Sequence, residues 1–232
     1  VRRYSDQEVT EESIEAVLKA AFRSPTSSNI QSYTAIVVRD PETKQKLSVP
    51  TGNQKHVALA PVFIAFCADL RRIEYALNLH QHNLNDNNLE VGLVSSIDAA
   101  LVGMSAYLAA ESIGLRGLMI GAVRNDPEKI AEILGLPQRV YCVFGMCLGW
   151  PDQAPDQKPR MDTGMTIHYE KYDEKATVAS MEAYDSALAE HYTSHGVKTT
   201  PDSWTHDMDK KFHPPQRDKL RQQLKGRGFD FR

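Results

Sequence analysis

The stretch Arg23-Ser24-Pro25-Thr26-Ser27-Ser28-Asn29-Ile30-Gln31-Ser32-Tyr33 joins two apolar elements of different period. Upstream, Ile14, Val17, Leu18 and Ala21 recur at helical spacing. Downstream, Ala35-Ile36-Val37-Val38 is a short β-rich run of the kind buried in a sheet. A helix therefore passes through a polar loop straight into the core. Thr10 is placed to cap the helix, with Glu11 and Glu12 complementing its dipole. Pro25 stops it, because the residue before a proline is driven out of the α region. The loop carries consecutive hydroxyls at Thr26, Ser27 and Ser28 and carboxamides at Asn29 and Gln31. Two readings fit it. One is an ordinary helix-to-strand connection of turn-forming residues. The other is a polar cradle whose hydroxyls and backbone N–H groups hold a bound group near a sheet edge.

The 232 residues suffice for one good core. Hydrophobic residues at 41% and charged residues at 25% are ordinary for a globular protein, and a net charge of −3 argues for neither nucleic acid nor an anionic membrane as partner. No apolar run is read as long enough to span a bilayer and no secretory pattern is seen, so a cytoplasmic location is expected. The chain starts at Val1, and its natural start is expected to lie upstream. Cys67, Cys142 and Cys147 sit inside apolar runs, which predicts buried free thiols in a reducing compartment.

Working outward, Pro41–Leu47 reads as a short charged turn or helix and Thr51–Val57 as a second polar loop. Pro61–Ala68 is a continuous apolar run fit for a strand covered on both faces. Asp69–Asp86 is polar and is expected to be a mobile excursion. Ile97, Leu101, Met104 and Leu108 mark one face of a long helix over about Ser95–Ser112, rich in Ala and Gly for close packing on another helix. A short strand follows and leaves through Gly121. Asp126-Pro127-Glu128 is a helix start, and Val140–Gly149 is the clearest strand. Beyond Pro151, Ala176–Tyr192 and about Trp204–Phe212 read as helices, and the basic end from Arg217 as partly helical. The pattern predicts an α+β fold with a mixed sheet and helices on both faces.

Side-chain catalysis finds no support: there is no Gly-x-Ser-x-Gly elbow, His-Glu-x-x-His pair or Walker loop. His80-x-His82 lies in a polar stretch and reads as solvated, so no metal is expected. Gly121-Ala122-Val123-Arg124 lacks dinucleotide-fold spacing. A cofactor is expected to carry any chemistry, and the polar loops suit a flavin mononucleotide. Lys158 and Arg160 flank a proline and can meet a phosphate from one side, or stand as exposed cations. Gln54 can donate and accept at a ring edge, Ile120-Gly121 offers an apolar side chain and bare backbone to a flat ring, and Arg2 can face growing negative charge.

These landmarks occur in the order seen in a known family. The Ser27 loop, Val1-Arg2-Arg3-Tyr4, Gly52-Asn53-Gln54-Lys55-His56-Val57, Ile120-Gly121, Phe144–Pro151 and Lys158-Pro159-Arg160 together resemble the nitroreductase family, in its NADPH-linked nitroreductase and flavin reductase group. The resemblance implies a three-layer α-β-α sandwich and an intertwined homodimer with FMN at the interface. Residues 1–150 would form the FMN-binding core and 151–232 an extension of the same domain. It assigns FMN, held noncovalently, to Arg2, Thr26, Ser27, Ser28, Asn29, Gln54, Ile120, Gly121, Lys158 and Arg160. The family's His-Arg-Ser before the first arginine has no counterpart here, so part of the phosphate site is expected to be missing. Where the group uses arginines for the nucleotide's extra phosphate, this chain offers His195, Lys198 and Thr200, with Arg217 nearby in sequence. NADPH is expected as the electron donor, by a smaller margin over NADH than in the group's arginine-bearing members, with NADH usable. The implied activity is ping-pong reduction of nitroaromatics, quinones or free flavins. A dedicated flavin reductase and a non-catalytic flavin-storage protein are the alternatives.

Overall fold

Strand β2 (Val62–Asp69) is buried at all eight positions, as its unbroken apolar run requires. It lies beside β1 (Tyr33–Val38) and β4 (Val140–Gly149), and β3 (Arg116–Ile120) closes the order β1-β2-β4-β3. The computed structural model describes residues 1–84, 89–197 and 204–231. All neighbouring strands in this sheet pair antiparallel, so the sheet is not mixed as expected. The reason is topological. β2 and β3 run in the same direction, but β4 is inserted between them.

The period of two along the strands builds three layers. Ile64, Phe66, Met146 and Leu148 face α1 (Glu11–Ala21) and α5 (Leu89–Ser112). Phe63, Ala65, Cys67, Cys142 and Cys147 face α2 (Pro41–Ser48), α3 (Lys55–Leu59) and α6 (Pro127–Leu134). The three cysteines are buried and free, and burial pushes the Cys147 thiol up to about 12. Helix ends follow local chemistry. Thr10 accepts the Ser13 N–H at 3.2 Å, Asp126 accepts that of Lys129 at 3.0 Å ahead of Pro127, and Gly135 leaves α6 at φ 63°.

The stretch after β2 is a helix, α4 (Arg71–Leu79), rather than an excursion. Its polar composition hides its anchors: Asp69 accepts the Arg71 N–H at 2.9 Å, and Glu74 pairs with Arg71 and Arg139. Likewise Lys55–Val57 belongs to α3 rather than to a loop.

Helix α5 begins earlier than its apolar period indicated. It runs for 24 residues, and over an 18-residue window its mean hydropathy is 1.5, so by length and composition it could span a membrane, contrary to the expectation from sequence. Here it covers the sheet. Its small residues Ala99, Val102, Gly103, Ala106 and Ala110 are buried against the strands and against α1, so the close helix packing expected of them is met within the chain. A Cβ at Gly103 would lie 2.2 Å from Phe144 Cζ, so glycine sets how closely the helix approaches the stacked Phe66–Phe144 pair. Leu93, Ile97, Leu101, Met104 and Leu108 point outward and are exposed.

The chain forms two compact units, Val1–Ala154 with Arg217–Arg232, and Pro155–Gln216. In the first, α11 (Leu220–Gly226) leads to Phe229, whose ring meets Tyr141 edge-on at 4.6 Å, and Arg227 donates to Leu136 O and Val140 O. The second holds α7 (Thr163–Thr166), α8 (Glu174–Val178), α9 (Met181–Ser194) and α10 (Trp204–Phe212). The helix expected over Ala176–Tyr192 is split into α8 and α9, where β-branched Thr177 and Val178 give way to Ser180.

Candidate active site

The loop between α1 and β1 contains no glycine, yet it turns through left-handed backbone at Ser28 (φ 47°), Asn29 (φ 56°) and Gln31 (φ 53°). Each such residue is disfavoured by roughly 1–2 kcal/mol, so the surroundings must hold the loop. Asp98 of α5 accepts the Ser27 N–H at 3.1 Å, and its other oxygen accepts Ser32 N–H at 3.1 Å and Ser32 Oγ at 2.9 Å. Ser24 Oγ lies 2.6 Å from Ser105 Oγ, and Arg72 of α4 donates to Gln31 O and Tyr33 O. Gln31 Nε2 folds back onto Asn29 O and Oδ1. With these anchors the hydroxyls of Thr26, Ser27 and Ser28 stay uncommitted among the described residues. Thr26 is half-buried and the two serines are exposed. Beside the loop lies a cavity of about 700 Å³, with Ser27, Ser28, Gln31 and Arg72 at its polar side and Leu70, Ile73, Leu77 and Val91 among its apolar lining.

The N-terminal segment runs along the end of β4. Tyr4 bridges to Pro151, and Ser5 N–H donates to Trp150 O at 2.9 Å. Gly149 is required there, because a Cβ would lie 2.7 Å from the Tyr4 ring. Arg2 is thereby exposed near His56, whose pKa is held below its ordinary value by burial and then by the Arg2 charge. Gln54 is half-buried at the cap position of α3, and its side chain makes no capping bond. Ile120 is buried in the same cluster as Val57 of α3, and Gly121 opens a 3₁₀ turn over Gly121–Asn125. At that turn Arg124 donates to Val143 O at 2.5 Å, and Arg217 Nε donates to Asn125 Oδ1 at 2.9 Å. Burial, then the Arg124 charge, lower the Arg217 pKa.

Lys158, Arg160 and His195 belong to the second unit. Lys158 Nζ sits 4.8 Å over the Tyr192 ring and 3.2 Å from its hydroxyl. Arg160 Nη1 turns back to Lys158 O at 3.2 Å, and both side chains are exposed. His195 already has partners at both ring nitrogens: Nδ1 is 2.6 Å from His191 O and 3.1 Å from Ser194 Oγ, and Nε2 is 2.9 Å from Asp156 Oδ2. The bonds to His191 and Asp156 raise its pKa, the one to His191 most. Lys198 and Thr200 lie outside the described residues.

A family model described as "Nitroreductase family" matches residues 1–150, and one described as "Nitroreductase family, C-terminal domain" matches residues 158–232. The chain belongs to the nitroreductase family. Among curated relatives, an oxygen-insensitive NADPH nitroreductase of Salmonella typhimurium is 38% identical over 88% of this chain and 83% of its own length. An FMN reductase [NAD(P)H] of Bacillus subtilis is 33% identical over 99% and 93%. Among solved structures, a B. subtilis nitroreductase superposes with a TM-score of 0.94 at 32% identity, covering 100% of this chain and 96% of that one. An NADPH:FMN oxidoreductase from Vibrio harveyi complexed with NAD⁺ gives 0.90 at 28% identity, covering 100% and 95%.

For a nitroreductase, the donor set of the first unit fits a flavin mononucleotide. The loop keeps hydroxyls uncommitted in a conformation that several buried anchors maintain, the carboxamide of Gln54 is free of capping duty, and Gly121 leaves space where a Cβ would stand 3.3 Å from Arg124 Nη2. A connection whose only task was to reach β1 would not need three left-handed residues without glycine.

Proposed function

We propose that this nitroreductase is an FMN-dependent NAD(P)H oxidoreductase acting on nitroaromatics, quinones or free flavins. The observation that carries the reading is the anchored, glycine-free loop with its uncommitted hydroxyls. Thr26, Ser27, Ser28 and Asn29 would hold FMN by hydroxyl, carboxamide and backbone donors. Gln54 would both donate and accept at the ring edge, and Ile120-Gly121 would lie against the ring. Lys158 and Arg160 would neutralise the phosphate. When bound, FMN supplies hydride acceptance from a reduced nicotinamide and electron delivery to the acceptor. Arg2 places fixed positive charge in the site, which favours negative charge there without reorganisation. His56, its pKa held down beside Arg2, favours the neutral form, so the local charge comes from the guanidinium.

By the same resemblance, His195, Lys198, Thr200 and Arg217 are read as the residues that meet the donor's phosphate. The outward stripe of α5 is read as the seam of a homodimer. The buried free thiols agree with a reducing, cytoplasmic compartment. A dedicated flavin reductase is the second reading, favoured by the B. subtilis FMN reductase that matches nearly the whole chain.

The purified protein should be yellow. Heat should release FMN, identified by chromatography; FAD as the main pigment, or no flavin, would refute the cofactor. Steady-state NADPH oxidation that starts only when an acceptor is added excludes a storage role. Comparing kcat/KM on FMN, a quinone and a nitrofuran separates the two enzyme readings.

A further inference from the structure

One carboxylate of α5 reaches the Ser loop from below. Asp98 is 1% exposed, and among the described residues no cation stands within ion-pair distance of it. Its compensation comes from the loop: Ser27 N–H on one oxygen, Ser32 N–H and Ser32 Oγ on the other. These donors bracket the turn. Ser27 opens it, and Ser32 closes it one residue before β1. All three left-handed residues, Ser28, Asn29 and Gln31, lie between the two anchors.

We propose that Asp98 is a positioning residue of the cofactor cradle. It fixes the Ser27–Ser32 segment in the conformation that offers hydroxyls and amides to FMN, and so sets FMN affinity without touching FMN. The proposal rests on reading this loop as part of the FMN site. The chemistry is specific to a carboxylate. Both oxygens of Asp98 are needed as acceptors, whereas an asparagine of the same shape has one acceptor oxygen and one NH₂ group. Whichever way the amide turns, its NH₂ faces a backbone N–H, of Ser27 or of Ser32. One end of the turn is then released, and the left-handed residues between the anchors relax. The helix itself loses nothing by the exchange, because the Asp98 side chain bonds to Ser27 and Ser32 and to nothing within α5.

The test uses the full chain stripped of flavin and titrated with FMN, following quenching of flavin fluorescence, with visible circular dichroism of the bound flavin as a second readout. Asp98→Asn should raise the FMN Kd roughly tenfold to a hundredfold, the effect of leaving one buried donor unpaired, and should change the visible dichroism. Ser32→Ala, which removes only the hydroxyl donor, should raise Kd roughly twofold to tenfold. A merely structural aspartate would lower the melting temperature of the flavin-free protein and leave Kd and dichroism of the folded fraction as in the wild type; that result overturns the proposal. If Asp98→Asn does not fold, wild-type Kd in Ser32→Ala overturns it equally. Wild-type protein that binds no FMN defeats the cofactor reading, and this proposal with it. Tight wild-type binding that Asp98→Asn leaves unchanged defeats this proposal alone.

Discussion

Met104→Glu should convert a dimer of this protein into monomers that lose their flavin. Met104 lies in the outward stripe of α5 and is 48% exposed in the single chain, between Leu101 and Leu108 of the same face. Burying the rest of such a side chain contributes about 1–1.5 kcal/mol, half of the value for a whole methionine. In a two-fold dimer the same patch is used on both sides, so a single substitution acts twice and removes about 2–3 kcal/mol. Each buried carboxylate without a cation adds an effective penalty of several kcal/mol. The sum weakens association by roughly a thousandfold or more, at about 1.4 kcal/mol per factor of ten. The monomer itself should be little affected, because exposed substitutions usually stay within about 0.5 kcal/mol and glutamate suits a helix. Light scattering coupled to size exclusion over a range of concentrations measures the mass, and absorbance of the eluting peak reports retained flavin. As a control, Gly103→Ala strikes the opposite face, where the new Cβ meets Phe144, and should lower the melting temperature with no change of mass. A Met104→Glu protein that stays dimeric at the wild-type dissociation constant, or a wild type that is monomeric with full FMN, would refute the assignment of this face.

Lys158→Ala and Arg160→Ala should each weaken FMN binding by about 1.5–3 kcal/mol, the usual range for hydrogen bonds to charged groups, with little effect on the chemistry of flavin that stays bound. Wild-type affinity in both, measured by titration, would show that the phosphate is held elsewhere. The preference for NADPH over NADH should widen as pH falls. His195 has its pKa raised by His191 O and Asp156, so its cationic form is present below that raised value and is lost as pH climbs through it. The ratio of kcat/KM for the two donors, taken between about pH 6 and 8, should track this titration, and His195→Gln should flatten it. A ratio independent of pH in the wild type would exclude His195.

Much of the fold was legible because its signals are local. Val140–Gly149 is an uninterrupted apolar run, and Asp126-Pro127 with Gly135 brackets α6; both elements appear with the expected limits. Helix α4 was not legible, since its supports are Asp69 before it and Arg139 far along the chain. The antiparallel sheet was not legible either, because the insertion of β4 between β2 and β3 depends on long-range pairing. At the candidate site the loop residues announce themselves by type. What holds them does not: Asp98 stands in an Ala-rich helix and Arg72 in a polar run, and neither differs in sequence from an ordinary surface charge.

The face choice of α5 follows from size. A helix laid on a twisted sheet must come close to fill the layer, and only small residues permit that approach, as the 2.2 Å clash at Gly103 measures. The large residues are therefore driven outward, and Leu93, Ile97, Leu101, Met104 and Leu108 form an exposed apolar row that water solvates poorly. Asp98 stands on the inner face beside Ile97, and the carbonyl of Leu101 lies 3.4 Å from Ser24 Oγ. The residues that would meet a second protomer thus alternate, along two turns of one helix, with those that grip both ends of the cofactor loop. Loss of a partner from the outer face of α5 removes packing from the same helix whose inner face holds both ends of the loop. That is the physical reason to expect dissociation and flavin loss to occur together, and not as separate events.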